Sequence, residues 1–157
     1  KDSITHTLSL LTDSLKSSNI TVNTDINLDE AKAFGYPNEF SQALINILNN
    51  AKDALKSNIT DAERRIILSA NKSDESVTVS VQDNAGGIPK EIINKIFDPY
   101  FTTKHKSQGT GLGLYMSKML IEQSFGGRLT VTNQNGGACF FIELKTDSTK
   151  GDADINE

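Results

Sequence analysis

The sequence predicts an α+β protein, a two-layer sandwich whose mixed, mostly antiparallel sheet carries its helices on one face. Two observations predict it. Several stretches repeat apolar residues at helical spacing, and short runs that alternate with period two come in pairs around turn residues. Strands joined mainly as hairpins beside helices belong to this class rather than to one of strictly alternating strands and helices. The 157 residues are enough for one domain with its own core.

Ile4, Leu8, Leu11 and Leu15 fall on one face of a helix over residues 2–17, which Ser17-Ser18-Asn19 ends. Residues 20–26 alternate as a strand, and Ala33-Phe34-Gly35-Tyr36 reads as a second short one. Pro37 opens a long helix to about Ser57, because a first-turn proline loses no helical hydrogen bond. Its apolar stripe is Phe40, Leu44, Ile47, Leu48, Ala51 and Leu55. Residues 65–70 and 77–81 form a hairpin pair. From Asp83 to Gly113 the pattern becomes irregular, with only a short helix expected near Lys90–Ile96; so long an irregular stretch in a small domain points to function. A helix follows from Leu112 to Phe125, stopped by Gly126-Gly127. A last hairpin, residues 129–132 and 138–144, turns at Asn135-Gly136.

The net charge of −4 does not suit a nonspecific nucleic-acid binder, which needs a basic surface, so no nucleic-acid partner is expected. No run of about 20 apolar residues occurs. Cys139, the one cysteine, lies in an apolar run and reads as a buried inert thiol. His6 reads as a surface residue of the first helix.

Three constellations carry chemistry. On the long helix Gln42, Asn46, Asn50 and Asp53 lie on one narrow face opposite the apolar stripe. That face is either simply solvated or a set of neutral amide oxygens for Mg²⁺, a hard cation that takes oxygen ligands. Second, Asp83-Asn84-Ala85-Gly86-Gly87-Ile88-Pro89 directly follows a strand. It is either an ordinary turn or a carboxylate placed to accept a hydrogen bond from an exocyclic amine such as adenine N6. Third, Gly109-Thr110-Gly111-Leu112-Gly113-Leu114 opens a helix, where free amides bind anions, though a flexible hinge has the same composition. No Gly-Lys-Ser/Thr follows, so it is not a P-loop, and it neither follows a strand nor carries the third glycine of a dinucleotide fingerprint. Between the second and third lies Phe97-Asp98-Pro99-Tyr100-Phe101-Thr102-Thr103-Lys104-His105-Lys106, whose aromatics suit a lid anchored on the core and whose Lys104 could reach a phosphate.

Together these residues resemble the catalytic ATP-binding domain of two-component histidine kinases, a family related to gyrase, Hsp90 and MutL. Asn46–Ala51 is similar to its asparagine box, Asp83–Pro89 to its first glycine box, Ile96–Lys104 to its phenylalanine box, Gly109–Leu114 to its second glycine box, and Gly136–Phe140 to a terminal glycine motif. The resemblance covers about Asn19 to Lys145 and implies the Bergerat type of α/β sandwich. It implies ATP and Mg²⁺ as cofactors, with Asn50 the metal ligand and Asn46 and Lys104 working at the phosphates. The remaining nucleotide contacts would be Asp53, Asp83, Gly87, Ile88, Thr102, Thr103, Gly109, Thr110, Gly111, Leu112, Gly113 and Leu114.

Gyrase-type relatives carry a Glu base where this chain has Asn46, which favours transfer to histidine over hydrolysis. Ala85 stands where Gly is more frequent, which is tolerable at negative φ, and Ala138 where Thr is common. A histidine followed by an acidic residue, the phosphoacceptor motif, is absent, since Thr7 follows His6. The resemblance therefore implies partners: a histidine-bearing dimerisation domain of the same, homodimeric parent, and a response-regulator receiver domain. Residues 1–18 are expected to end the dimerisation hairpin or link to it, 19–146 to form the catalytic domain, and 147–157 to be a disordered polar tail. A cytoplasmic location is expected, under a parent that could be membrane-anchored. An anti-sigma-type serine kinase of the same fold, and a degenerate nucleotide-binding interaction module, remain as alternatives.

Overall fold

The computed structural model describes residues 1–28, 36–103 and 111–146. Helix α1 (Asp2–Ser17), strand β1 (Ile20–Asn27), helix α2 (Pro37–Asn58), the strands β2 (Arg64–Lys72) and β3 (Ser76–Asp83), helix α3 (Gly113–Met119), and the strands β4 (Arg128–Gln134) and β5 (Gly137–Lys145) follow in order. They form one sheet in the order β1-β2-β3-β5-β4. The β1–β2 pair is parallel and joined through α2, since a parallel pair needs a crossover; the other three pairs are antiparallel. The fold is the α+β sandwich with a mixed sheet that the sequence predicts.

Alternation decides what each strand shows the helices. In β3, Val77, Val79 and Val81 are buried, and Val81 lies between Leu68 of β2 and Phe140 of β5. Against this row packs the predicted stripe of α2, with Phe40, Leu44, Ile47, Leu48, Ala51 and Leu55 all buried. Each such side chain contributes roughly 1.5–3 kcal/mol when fully removed from water. Ile4 and Leu15 place α1 in the same core, while Leu8 and Leu11 are only partly covered. Lys52 Nζ donates to Ser14 Oγ (3.0 Å), which fastens α2 to α1. Asn19 ends α1 at φ 57°, a left-handed conformation that Asn tolerates.

Two expected helices come out differently. Residues 90–96 form successive turns: Ile92 and Ile93 N–H both donate to Pro89 O, then Lys95 to Ile92 and Asp98 to Lys95. The stretch between Pro89 and Pro99 is too short to offset helix nucleation, and Pro99 forbids its continuation. The helix after Leu112 is α-helical only to Met119 and then widens into a π-helical turn over Leu120–Ser124. Beyond it Gly127 N–H reaches back to Ile121 O (2.9 Å), and a side chain at Gly127 would strike the backbone of Glu143 in β5. The short strand expected at residues 33–36 falls mainly, and the polar tail at 147–157 wholly, outside the described residues; Tyr36 itself is the extended residue before α2. Among the described residues no helix is long and apolar enough to cross a membrane.

Candidate functional site

Helix α2 joins the three predicted constellations. Near its middle Asn46 Nδ2 donates to Gly113 O (3.2 Å), the first residue of α3. At its end Asn58 Nδ2 donates to Ala85 O (3.1 Å), in the loop after β3. Those contacts are about 18 Å apart along the helix axis. Asn50 and Asp53, both half-buried, lie between them in sequence. Ser117 Oγ reaches Ala43 O (3.3 Å), and the Phe125 ring meets Phe40 edge-on. Successive contacts therefore step backward along α2 as α3 advances, so the two helices run antiparallel. Asn46 Oδ1 is engaged by Gln42 Nε2 (3.1 Å), so the Asn46 amide orients backbone at the helix start.

The corner after β3 is built around Asp83. This carboxylate continues the core-facing row of Val77, Val79 and Val81, and it is 4% exposed. Its Oδ1 accepts from the backbone N–H of Ala85 (3.0 Å) and of Ala138 (3.1 Å), while Oδ2 takes no hydrogen bond from the described residues. Burial pushes the carboxyl above its ordinary value, and the Ala85 and Ala138 amides pull it partly back. The next residues are fixed from several sides. Asn84 bridges the N–H of Arg65 and the O of Glu63, and Gly86 N–H donates to Gly136 O (2.9 Å). Gly86 and Gly87 take φ 98° and 87°, values that L side chains rarely adopt, while Ala85 is not among the positive-φ residues, as its methyl requires.

The second glycine segment is described from Gly111 onward. Gly111 takes φ 71°, and its O accepts from Tyr100 N–H (2.9 Å); a side chain there would strike the Tyr100 backbone. Among the described residues a carbon added at Gly113 would meet Asn46 alone, at 4.0 Å. Leu112 and Leu114 are half-buried, as is Thr102, and Thr103 is exposed. Lys104, His105, Gly109 and Thr110 lie outside the described residues. The aromatic anchor holds for Phe97, whose ring meets Phe140 edge-on at 6.2 Å, and for Phe101, which packs on the core. It fails for Tyr100, which is 74% exposed at φ 66°.

Residues 35–148 match the family of histidine kinase-, DNA gyrase B-, and HSP90-like ATPases. The chain belongs to that family. As a member it is an ATP-binding domain, and its relatives are sensors. It is 43% identical over 112 residues to the two-component sensor PprA of Pseudomonas aeruginosa, covering 70% of this chain and 12% of that protein. It is 33% identical over 150 residues to the sensor histidine kinase ZraS of Escherichia coli, covering 95% of this chain and 30% of that one. The chain thus spans under a third of these relatives' length. The catalytic domain of histidine kinase ThkA superposes with a TM-score of 0.79 at 28% identity, over 92% of each chain.

The open Oδ2 of Asp83 suits an amine donor, and the helix start at Gly113 suits an anion, so the donor set fits this family's nucleotide. Among the described residues no group of three or more His, Cys, Asp and Glu could hold a metal ion. Sequence reasoning missed Asn133, whose side chain accepts from Ile88 N–H (2.8 Å) and donates to Ile88 O (2.7 Å). Nothing in a hairpin sequence marks such a residue. It also missed why Gly137 must be glycine: a side chain there would fall on the backbone oxygen of Asp83. Cys139 is buried and free, its thiol pushed up to about 11 by burial and then by the Asp83 charge.

Proposed function

We propose that this domain binds Mg-ATP between α2, the Asp83 corner and the start of α3, and that it donates the γ-phosphoryl group to a histidine on a separate dimerisation domain of the same parent. The observation that supports this best is the pair of contacts from α2, Asn46 to Gly113 and Asn58 to Ala85, which tie both glycine segments to the one helix that carries Asn50. Bound Mg-ATP would supply the phosphoryl group and the neutralising cation. Asp83 Oδ2 then accepts from adenine N6, and Gly87 leaves room for the base beside Ile88. Asn50 offers an amide oxygen to Mg²⁺. The N–H groups at the start of α3 would face the phosphates, where the resemblance also expects Lys104. Asn46 carries no carboxylate to activate water, so transfer is favoured over hydrolysis. Such transfer asks a protein mainly for positioning and charge neutralisation.

A receiver domain would complete the pathway; ThkA, in a structure that this chain matches at 25% identity, is bound to the response regulator TrrA. The parent is proposed to be homodimeric, with this domain in the cytoplasm and residues 1–18 leading to the dimerisation helices. The test offers labelled Mg-ATP, this chain and the histidine-bearing domain. The expected result is acid-labile, alkali-stable label on that domain, and a nucleotide affinity that loses its Mg²⁺ dependence in Asn50→Ala. Label on a partner's serine would move the reading to an anti-sigma-type kinase. Binding without any transfer would make it an interaction module.

A further inference from the structure

Lys118 lies on α3 and ties together three parts of the chain. Its Nζ donates to Glu122 Oε2 (3.0 Å) in the π-helical turn and to Leu129 O (3.1 Å) at the edge strand β4. The same ammonium stands 5.0 Å from the centroid of the Phe97 ring. That ring is thus held between a cation and Phe140, two different contacts on one aromatic. Packing alone does not hold it. An open cleft of about 670 Å³ runs beside it, lined by Phe97, Pro99, Tyr115, Lys118, Met119 and Val131, and gives the ring room to leave.

The chain departs from Phe97 toward Lys104 and comes back at Gly111 to open α3, the helix that carries Lys118. Among the described residues the departure is tied to the return by the Tyr100 N–H bond to Gly111 O and by Lys118 on Phe97. The first is one backbone bond at a residue of positive φ. We propose that Lys118, acting through Phe97, is a positioning residue for phosphoryl transfer: it sets the spacing between the phenylalanine segment and the phosphate-facing start of α3. This rests on the kinase reading above. Lys118 contacts Glu122, Leu129 and Phe97, none of them assigned to the nucleotide above, so its removal should slow transfer without weakening nucleotide binding much.

The experiment compares wild type, Lys118→Met and Lys118→Arg. Each is supplied with Mg-ATP and the histidine-bearing domain, and melting temperature and Mg-ADP affinity are measured beside the transfer kinetics. Methionine keeps the stem and removes the charge; arginine keeps a cation that can stack on the ring. The expected result for Lys118→Met is a kcat lower by about tenfold with KM for ATP changed by less than about threefold. Lys118→Arg should recover most of the loss. Unchanged kcat would overturn the proposal. So would a rise in KM alone, or a fall in melting temperature that arginine fails to restore, which would make Lys118 merely structural. Absence of transfer by wild type would instead bring down the kinase reading, and this inference with it.

Discussion

The Asp83 corner and the start of α3 face opposite ends of the same proposed ligand, and they are held in different ways. At the corner several polar groups are fixed by residues from outside it: Ala138 on Asp83, Asn58 on Ala85, Gly136 on Gly86, Asn133 on Ile88. At the start of α3, among the described residues, Asn46 reaches Gly113 and Tyr100 reaches Gly111, in a turn with two positive-φ residues, one of them not glycine. The base-facing end is therefore assembled by folding itself, before any ligand arrives, which lowers the ordering cost of binding. The end proposed to face the phosphates instead holds Tyr100, a residue with a side chain, in a left-handed conformation, which stores local strain.

The sharpest way to break this contrast is a pair of glycine substitutions. Gly137→Ala forces two strand backbones apart at Asp83 and is expected to cost about 3 kcal/mol or more. In a domain of this size that lowers Tm by roughly 6–12 °C. Gly111→Ala also meets backbone, and at positive φ, but its strain stays in a surface turn. It is expected to lower Tm by only about 3 °C while reducing Mg-ADP affinity. Equal losses in thermal melts of the two variants would end the distinction.

A smaller effect separates binding from stability within the corner. Asp83→Asn removes a charged acceptor and should weaken Mg-ADP binding by roughly ten- to hundredfold in titration calorimetry. Without nucleotide the sign reverses. The Asp83 carboxyl is raised by burial, so its stabilising contribution is full below the ordinary value of 3.8 and is lost as pH rises through the folded value. Unliganded Asp83→Asn should thus gain on wild type in urea unfolding as pH rises, with the largest advantage near neutrality and none below about pH 4. An advantage that grew toward acid would show the carboxylate to be stabilised, not strained, in the fold. Smallest is Asn133→Ala, which frees both Ile88 backbone groups. A two- to fivefold loss of Mg-ADP affinity is expected, about 1 kcal/mol or less. No loss would mean that Ile88 needs no external support.

The two regions also differed in how readily they could be read from residues alone. Period-two and helical repeats placed α1, α2 and all five strands, because each buries one face and the burial pattern is written locally. The glycine and asparagine segments stood out because their residue types are poor for helices and strands. Legibility failed where the cause was distant. The turns at residues 90–96 depend on two prolines that bound too short a stretch, and the π-helical turn depends on how closely Gly127 must approach β5. Asn133 acts on Ile88, 45 residues away, and Lys118, beyond its i,i+4 pair with Glu122, acts on Leu129 and Phe97, 11 and 21 residues away, through contacts that no spacing rule announces.

Cys139 has a practical consequence. It is the only cysteine in the chain, it is buried, and at pH 7–8 a thiol held near 11 offers almost no thiolate. A second cysteine introduced at an exposed position such as Tyr100 would therefore react alone with a maleimide dye, and the native sequence needs no prior thiol removal before fluorescent labelling.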